Sequence, residues 1–356
     1  MEDRELLIPF QKIYNWMEDE ESKEIFLNRL SFVISRDYNY MYKIISKYVP
    51  DMAVLNDEAI PALLNQLPYD KDFYLYGAGE DARANLHYFT EDARFKGFCD
   101  QDKQKQKDGV DGYAVISPKD IIKTKDSSIV ISTHRGLEAI KKYLISNGID
   151  RARIFIMSNY MFATQKEQYF NPSFMTFGDE EVFIDAGCCD MITSRRLKLH
   201  CKKLKRVYAF EPDKRNYEIC KKIAQDEFDD GVVRVFCKGT WSENTTLYFE
   251  ASNDGASHIS DQGKDSIEVI KIDDVVDPFE RVTFIKMDVE GSELESLKGA
   301  EQTIRRDKPK LAICIYHKAE DMYQLPLYIK ELVPEYRLYL RHHSNGDGET
   351  VLYAMP

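Results

Sequence analysis

Lys286, Asp288 and Glu290 stand two residues apart in VTFIKMDVEGSE (282–293), a segment that opens as an apolar run and closes on acids beside Gly291. Such a run reads as a strand buried on both faces of a parallel sheet. Spacing by two puts the three charged groups on one side of that strand if it stays extended so far. A charge left unpaired there costs roughly several kcal/mol, so these groups are paired, solvent-facing at the strand end, or used in chemistry. Ligands of open α/β sheets bind at the carboxyl ends of the strands. His317 closes another apolar run, LAICIYH (311–317), which places it at a neighbouring strand end. Asp288, Glu290 and His317 are therefore the candidate catalytic residues. His317, whose type has the unperturbed pKa nearest neutrality, is the first choice of base. Two plainer readings stand beside this one: His317 as a hydrogen-bonded structural histidine, and Glu290 as a cap of the helix that follows. Carboxylates and imidazole also suit a divalent metal, but no regular ligand spacing supports one and none is expected.

Upstream, EVFIDAGCCD (181–190) is a second apolar run ending in Asp185 and Gly187, and RVYAFEP (206–212) is a third ending in Glu211. Asp185 and Glu211 are 26 residues apart, about one strand–helix–strand unit. That is the plan of a nucleotide site, in which a glycine lets the first turn approach the ligand and a carboxylate at the next strand end takes the ribose hydroxyls. Three such strand ends in order carry more weight than any one of them.

With these residues in place, the chain resembles the FkbM-type S-adenosylmethionine-dependent methyltransferases, usually O-methyltransferases. FIDAG, AFEP, KGTWSENTTLYF (238–249) and above all IKMDVEGSELESLKGAE (285–301) carry the likeness, with ICIYHK (313–318) and YLRHHSNGDGETVLYAMP (339–356) similar to one branch of the family. Where the family usually has a second glycine in the first turn, this sequence has Met191, with Cys188 and Cys189 in the loop. The resemblance covers about residues 181–356. It implies S-adenosylmethionine as cofactor, held by Asp185, Ala186, Gly187, Glu211, Pro212, Gly239 and Asp288. It further implies O-methylation of a carbohydrate-type or secondary-metabolite hydroxyl.

The fold class expected is α/β. A Rossmann-like methyltransferase sheet, mostly parallel with one antiparallel strand, follows a smaller α/β unit and an N-terminal helical segment. Residues 1–70 read as helical, with apolar spacing of three and four in 26–49; Asp57 is expected to cap a helix over 59–67 whose first turn holds Pro61. In 71–157, DFYLYGAGEDAR runs into a Gly77-Ala78-Gly79 turn, with Ala82 in the third small position and Asp100 following 21 residues after Gly79. Further strands are expected at 127–136 and 152–157. This unit suits either a nucleotide site or a scaffold, which keeps two other functions in view. One is an NAD-linked oxidoreductase built on the Gly77–Gly79 turn; the other is a non-catalytic nucleotide-binding or scaffold protein with a methyltransferase fold. The aromatic-rich junction 158–180 is expected to pack on the methyltransferase sheet, and 181–356 is the methyltransferase domain.

A net charge of −12 argues against nucleic-acid or anionic-membrane partners, which need clustered Lys and Arg. The basic run HCKKLKR (200–206) reads as a solvated helix face, and His342 and His343 as surface or acceptor-pocket residues. The 7 cysteines show no metal-ligand spacing, the charged start MEDREL does not read as a signal peptide, and no apolar run reaches the ~20 residues of a membrane helix. A reduced, cytoplasmic protein with a small-molecule or glycan acceptor is expected.

Overall fold

The computed structural model describes residues 7–124, 126–133, 136–157, 165, 167–250, 258–259 and 265–356. The charged start 1–6, part of the strand expected at 127–136 (134–135) and much of the junction (158–164, 166) lie outside them.

The short runs of the first unit form β1 (Phe73–Tyr76), β2 (Phe95–Cys99), β3 (Val115–Ile116), β4 (Ser128–Ile131) and β5 (Ile154–Ile156). They make an all-parallel sheet of order β3-β2-β1-β4-β5. The two-residue β3 is too short to leave a periodic signal in the sequence.

The second half contributes β6 (Glu180–Ala186), β7 (Lys203–Phe210) and β8 (Val233–Phe236), then β9 (Gly239–Thr240), β10 (Thr245–Glu250), β11 (His258–Ile259) and β12 (Asp265–Ile270), and finally β13 (Phe284–Met287), β14 (Lys310–Cys314), β15 (Arg337–His342) and β16 (Thr350–Met355). Seven of them form the sheet β15-β16-β14-β13-β6-β7-β8, in which β16 alone runs antiparallel to its neighbours. This is the mostly parallel Rossmann-like sheet expected, and TTLYFE and SIEVI pair as the antiparallel hairpin β10–β12 of a separate four-stranded sheet. That small sheet docks closely on the helix Glu293–Gly299: a Cβ on Gly299 would lie 2.0 Å from the Trp241 carbonyl oxygen.

Alternation along the buried strands divides the core into two layers. Val182, Ile184, Tyr208, Ile285, Leu311 and Leu352 face one way, against Leu297, Ile304, Leu325 and Ile329 and against Ile13, Ile25, Phe26 and Ile44 of the first helices. Phe183, Val207, Phe284, Ala312 and Tyr353 face the other, against Tyr169, Phe170 and Met175 of the junction. The N-terminal helices thus divide their allegiance. Ile8–Trp16, Glu20–Ser35 and Asn39–Tyr48 cover the large sheet, whereas Ile60 and Leu63 of Pro50–Gln66, with Leu67 at its C-cap, pack with Phe73 and Phe89 of the first unit.

Three local expectations are corrected. Pro50 starts a single helix that runs through to Gln66, so residue 57 lies within it and is no cap, and the exposed Pro61 sits in the helix interior instead of its first turn. Lys203–Arg206 open β7 instead of lying on a helix; Lys202, Lys203 and Arg206 pair with Asp179, Glu180 and Glu280. His342 and His343 are buried, at 2% and 3% exposure. Their ring nitrogens contact Thr350, Gln165 and Tyr353, and burial holds both well below the usual histidine range.

Asp19 caps the helix Glu20–Ser35 by accepting from Ser22 N at 2.8 Å, and its other oxygen lies 2.6 Å from Nη2 of the nearly buried Arg341 on β15. Asp19→Ala should therefore cost at least ~1–2 kcal/mol, the worth of a cap, and more through the stranded guanidinium. Denaturant unfolding checks this; an unchanged midpoint would show that the helix does not depend on the joint.

Candidate active site

Parallel register puts the ends of four strands level. Ala186 pairs with Phe210 and Met287, and Phe210 with Phe236, so Gly187, Glu211 and Asp288 each stand one residue beyond the ladder. The Gly187 and Cys188 N–H groups both donate to the Phe210 carbonyl at 3.0 Å, and Asp288 N donates to Ala186 O at 3.1 Å. A Cβ on Gly187 (φ +73°) would lie 1.9 Å from the Asp288 carbonyl oxygen. The glycine is thus required by the approach of two chain segments, before any ligand is considered.

Asp185 and Lys286 are register partners on adjacent strands and share one face. Both are enclosed, with side chains 0% and 4% exposed and 3.5 Å between Oδ1 and Nζ. Lys286 also donates to Gly187 O at 2.6 Å and Ala186 O at 3.3 Å, and Ser194 Oγ donates to Asp185 Oδ2 at 2.6 Å. Burial works against the ammonium, but Asp185 and Asp288 hold its pKa above the ordinary lysine value. Burial raises the Asp185 carboxyl, with Lys286 and Ser194 opposing. Asp185 therefore holds the turn from beneath.

Met191, at the position where a glycine was expected, takes the glycine-type conformation (φ +58°, ψ 20°) just before the helix Ile192–Leu197 and is fully buried. The strain of that backbone, on the order of 1–3 kcal/mol, is offset by the side chain's place among Phe183, Cys188 and Leu197. Glu211 is 6% exposed. Its oxygens each accept one backbone N–H, from Cys189 and Asp213, both at 2.9 Å, which leaves each oxygen a second lone pair. Burial raises its pKa against those two N–H groups. Pro212 and Gly239 close the same edge: a Cβ on Gly239 would lie 4.0 Å from Pro212 Cβ.

Beyond β13 the chain does not stay extended. Glu290 takes φ +54° and is exposed, so it neither continues the row of Lys286 and Asp288 nor caps the next helix. The carboxylate received at that turn is Glu293, whose Oε1 accepts from Val289 N at 3.0 Å. His317, 10% exposed, has Nδ1 2.9 Å from Glu293 Oε1 and Nε2 3.5 and 3.6 Å from Asp288 Oδ1 and Glu290 Oε2. Burial would lower its pKa, but Glu293 and the charges of Asp288 and Glu290 outweigh it and push it up to about 9. At neutral pH His317 is thus an imidazolium, and the first choice of base already carries the proton it would have to take.

A second carboxylate suits that task. Tyr169 OH donates to Asp288 Oδ2 at 3.0 Å, while Tyr316 OH lies 3.4 Å from Asp288 Oδ1 and 3.3 Å from Glu349 Oε1. Gln168 bonds both Tyr169 and Glu349. Burial and then the charge of Asp288 raise Glu349 to about 7, with Gln168, His317 and Tyr316 opposing. Asp288 stays below the usual carboxylate range despite burial, through Lys286, His317 and Tyr169. Glu349 escaped the sequence reading because it lies in the β15–β16 connection, with no strand end or spacing to mark it. Tyr169 and Gln168 come from the junction, 119 residues before Asp288 in the case of Tyr169.

In the first unit, Asp100 is occupied by its own backbone. Oδ2 accepts from Ala78 N at 2.9 Å and lies 3.3 Å from Lys105, and Oδ1 accepts from Asp102 N at 2.9 Å. No helix among the described residues is long and apolar enough to cross a membrane.

Residues 185–346 match the family described as Methyltransferase FkbM domain, and residues 69–155 the family described as C2185-like, N-terminal. Among solved structures, the chain is similar to methyltransferase FkbM from Methylobacillus flagellatus KT, with 18% identity, 86% of this chain and 98% of that one covered, and a TM-score of 0.49. It is also similar to a SAM dependent methyltransferase from Aquifex aeolicus, at 14% identity, 54% and 89% coverage and a TM-score of 0.31. M. capricolum TrmK, solved with S-adenosyl-homocysteine, matches at 12% identity, 50% and 63% coverage and a TM-score of 0.31. No curated protein matches.

Removing Lys286 alone would leave Asp185 enclosed without its counter-charge. Lys286→Met should destabilise the protein by ~3–5 kcal/mol, and Lys286→Met with Asp185→Leu should recover most of that loss. Chemical denaturation of the two variants measures it; a double variant no more stable than the single one would show that the pair is not the support of the turn.

Proposed function

We propose that this protein, whose residues 185–346 belong to the FkbM methyltransferase domain family and which is an S-adenosylmethionine-dependent methyltransferase, methylates a hydroxyl of a carbohydrate-type or secondary-metabolite acceptor. The observation that carries the reading is the chain Asp288–Tyr316–Glu349, set at the end of β13 beside the Gly187 turn and Glu211. The residues present suit the cofactor. Glu211 has one lone pair per oxygen left for two ribose hydroxyls, and the glycine at 187 keeps the turn free of a side chain. Ala186, Gly187, Pro212 and Gly239 would line its path, with Asp185 and Lys286 fixing the turn from below and Asp288 at the methyl end.

When bound, the cofactor supplies an electrophilic methyl on a sulfonium. Transfer then depends mainly on alignment, which can contribute on the order of 7–11 kcal/mol. Asp288, kept ionised, and the imidazolium of His317 orient the acceptor hydroxyl, with Glu290 at the open rim. Glu349 would take the proton that the acceptor hydroxyl gives up on methylation. Tyr169 and Tyr316 keep the two carboxylates in fixed relation. A polyhydroxyl acceptor fits a site rich in carboxylate acceptors, and an anionic one does not.

Two measurements test this. A base must be unprotonated to act, so the rate of methyl transfer should climb as pH rises through about 7, the value to which Glu349 is raised by burial and by Asp288. Glu349→Gln should abolish that limb and lower the rate by about 10²-fold or more; a limb that survives the substitution would place the base elsewhere. Separately, Glu211→Ala should weaken S-adenosylhomocysteine at least roughly tenfold by calorimetry, as a lost pair of bonds to a charged acceptor predicts. Equal affinity in the folded variant would remove Glu211 from the cofactor site.

A further inference from the structure

Asp288, Glu293 and His317 reach one spot from three places: the end of β13, the first turn of the helix Glu293–Gly299 and the segment after β14. One ligand atom from each lies within 4.8 Å of the other two. Metal–ligand bonds of ~2.0–2.2 Å set the donors of one ion roughly 3–4.4 Å apart, so the three groups are already gathered near the spacing that a shared ion needs. In the sequence, Asp288, Glu290 and His317 were the residues conceivable for such a set, with no ligand spacing to support one and no metal expected. The left-handed turn at Glu290 leaves that carboxylate exposed at the rim, 3.6 Å from His317 Nε2, and brings the buried Glu293 in against Nδ1 at 2.9 Å.

Glu293 gives the second, independent observation. It is wholly buried, and while Oε1 accepts from Val289 N, Oε2 has no hydrogen-bond partner. An enclosed carboxylate oxygen without a donor is costly, and a cation relieves it. Around the same imidazole stand Asp288, Glu290 and Glu293, with Asp321 beside Glu293 and Glu349 one tyrosine away, while Lys286 beside Asp288 and Lys318 beside Asp321 are the other cations near them.

We infer that Asp288, Glu293 and His317 bind a divalent cation of the first transition row. Two carboxylates with one imidazole suit Mn²⁺, Fe²⁺ or Zn²⁺ better than a hard ion that prefers oxygen alone. The binding claim is independent of the reaction; what the ion does there rests on the methyltransferase reading. The ion would displace a proton from His317 and take the imidazolium's place beside Asp288, where it would hold the acceptor oxygen and lower its pKa, so that Glu349 removes the proton from a more acidic hydroxyl.

The test is calorimetric titration of the full, metal-stripped chain with MnCl₂ alone, and in a separate cell with S-adenosylhomocysteine. One Mn²⁺ per chain is expected, with affinity reduced tenfold or more in His317→Ala and in Glu293→Gln. If wild type takes up neither Mn²⁺ nor Zn²⁺, or if the folded variants bind Mn²⁺ as wild type does, the site is refuted. Should both variants fail to fold, NMR of the wild-type imidazole decides: Mn²⁺ broadening the His317 ring protons supports the site, and sharp ring protons overturn it. Absence of S-adenosylhomocysteine binding by wild type would instead refute the methyltransferase reading, leaving the metal result to stand alone.

Discussion

A single enclosed ammonium holds the working edge of this molecule together. Lys286 sits across from Asp185 in the register of β13 and β6 and donates to the Gly187 carbonyl. It therefore ties the first turn to the strand that carries Asp288. Burying such a pair is costly, and its use lies less in stability than in geometry. With Lys286 in place, the Gly187 turn can approach the Asp288 carbonyl closely enough that no Cβ fits between them. The same charge also helps keep Asp288 ionised. The Gly187 turn and the Asp288 carboxylate are thus one mechanical unit.

The next constraint is that a sheet apolar on both faces must be covered on both. Residues outside the matched family region do much of this work. The first three helices close one face, tied down by Arg341 and Asp19, and the junction closes the other with Tyr169, Phe170 and Met175. The junction's contribution is chemical as well. By covering the face under Asp288, it delivers Tyr169 and Gln168 to the two carboxylates, so packing and site assembly are the same event.

Electrostatics then sorts the ionisable groups into roles. His317 and Glu349 stand near the same aspartate but are driven to different states. Glu293, against the ring nitrogen, fixes the histidine as a cation, while burial without a cationic partner in contact lifts Glu349 toward neutrality. Residue type alone would have assigned them the other way round, since an exposed histidine titrates near neutrality and an exposed glutamate well below it.

Much of the fold was legible in the amino-acid order, because the physics that writes it is local. Apolar runs ending at Asp185, Glu211, Asp288 and His317 mark buried parallel strands and their carboxyl ends, and the short loop before β16 marks the antiparallel closure. Asp185, Gly187, Glu211, Asp288 and His317 follow from that pattern and do converge on one edge. What the order of residues did not determine depends on contacts between distant segments. Glu293 replaces Glu290 because one residue takes a left-handed turn, and Met191 occupies a glycine conformation because the core accepts its side chain. Glu349 and Tyr169 enter the site because separate segments must close over the same strand. Protonation state, which decides who can act as a base, depends on burial and on neighbours far along the chain. Only the folded arrangement supplies both.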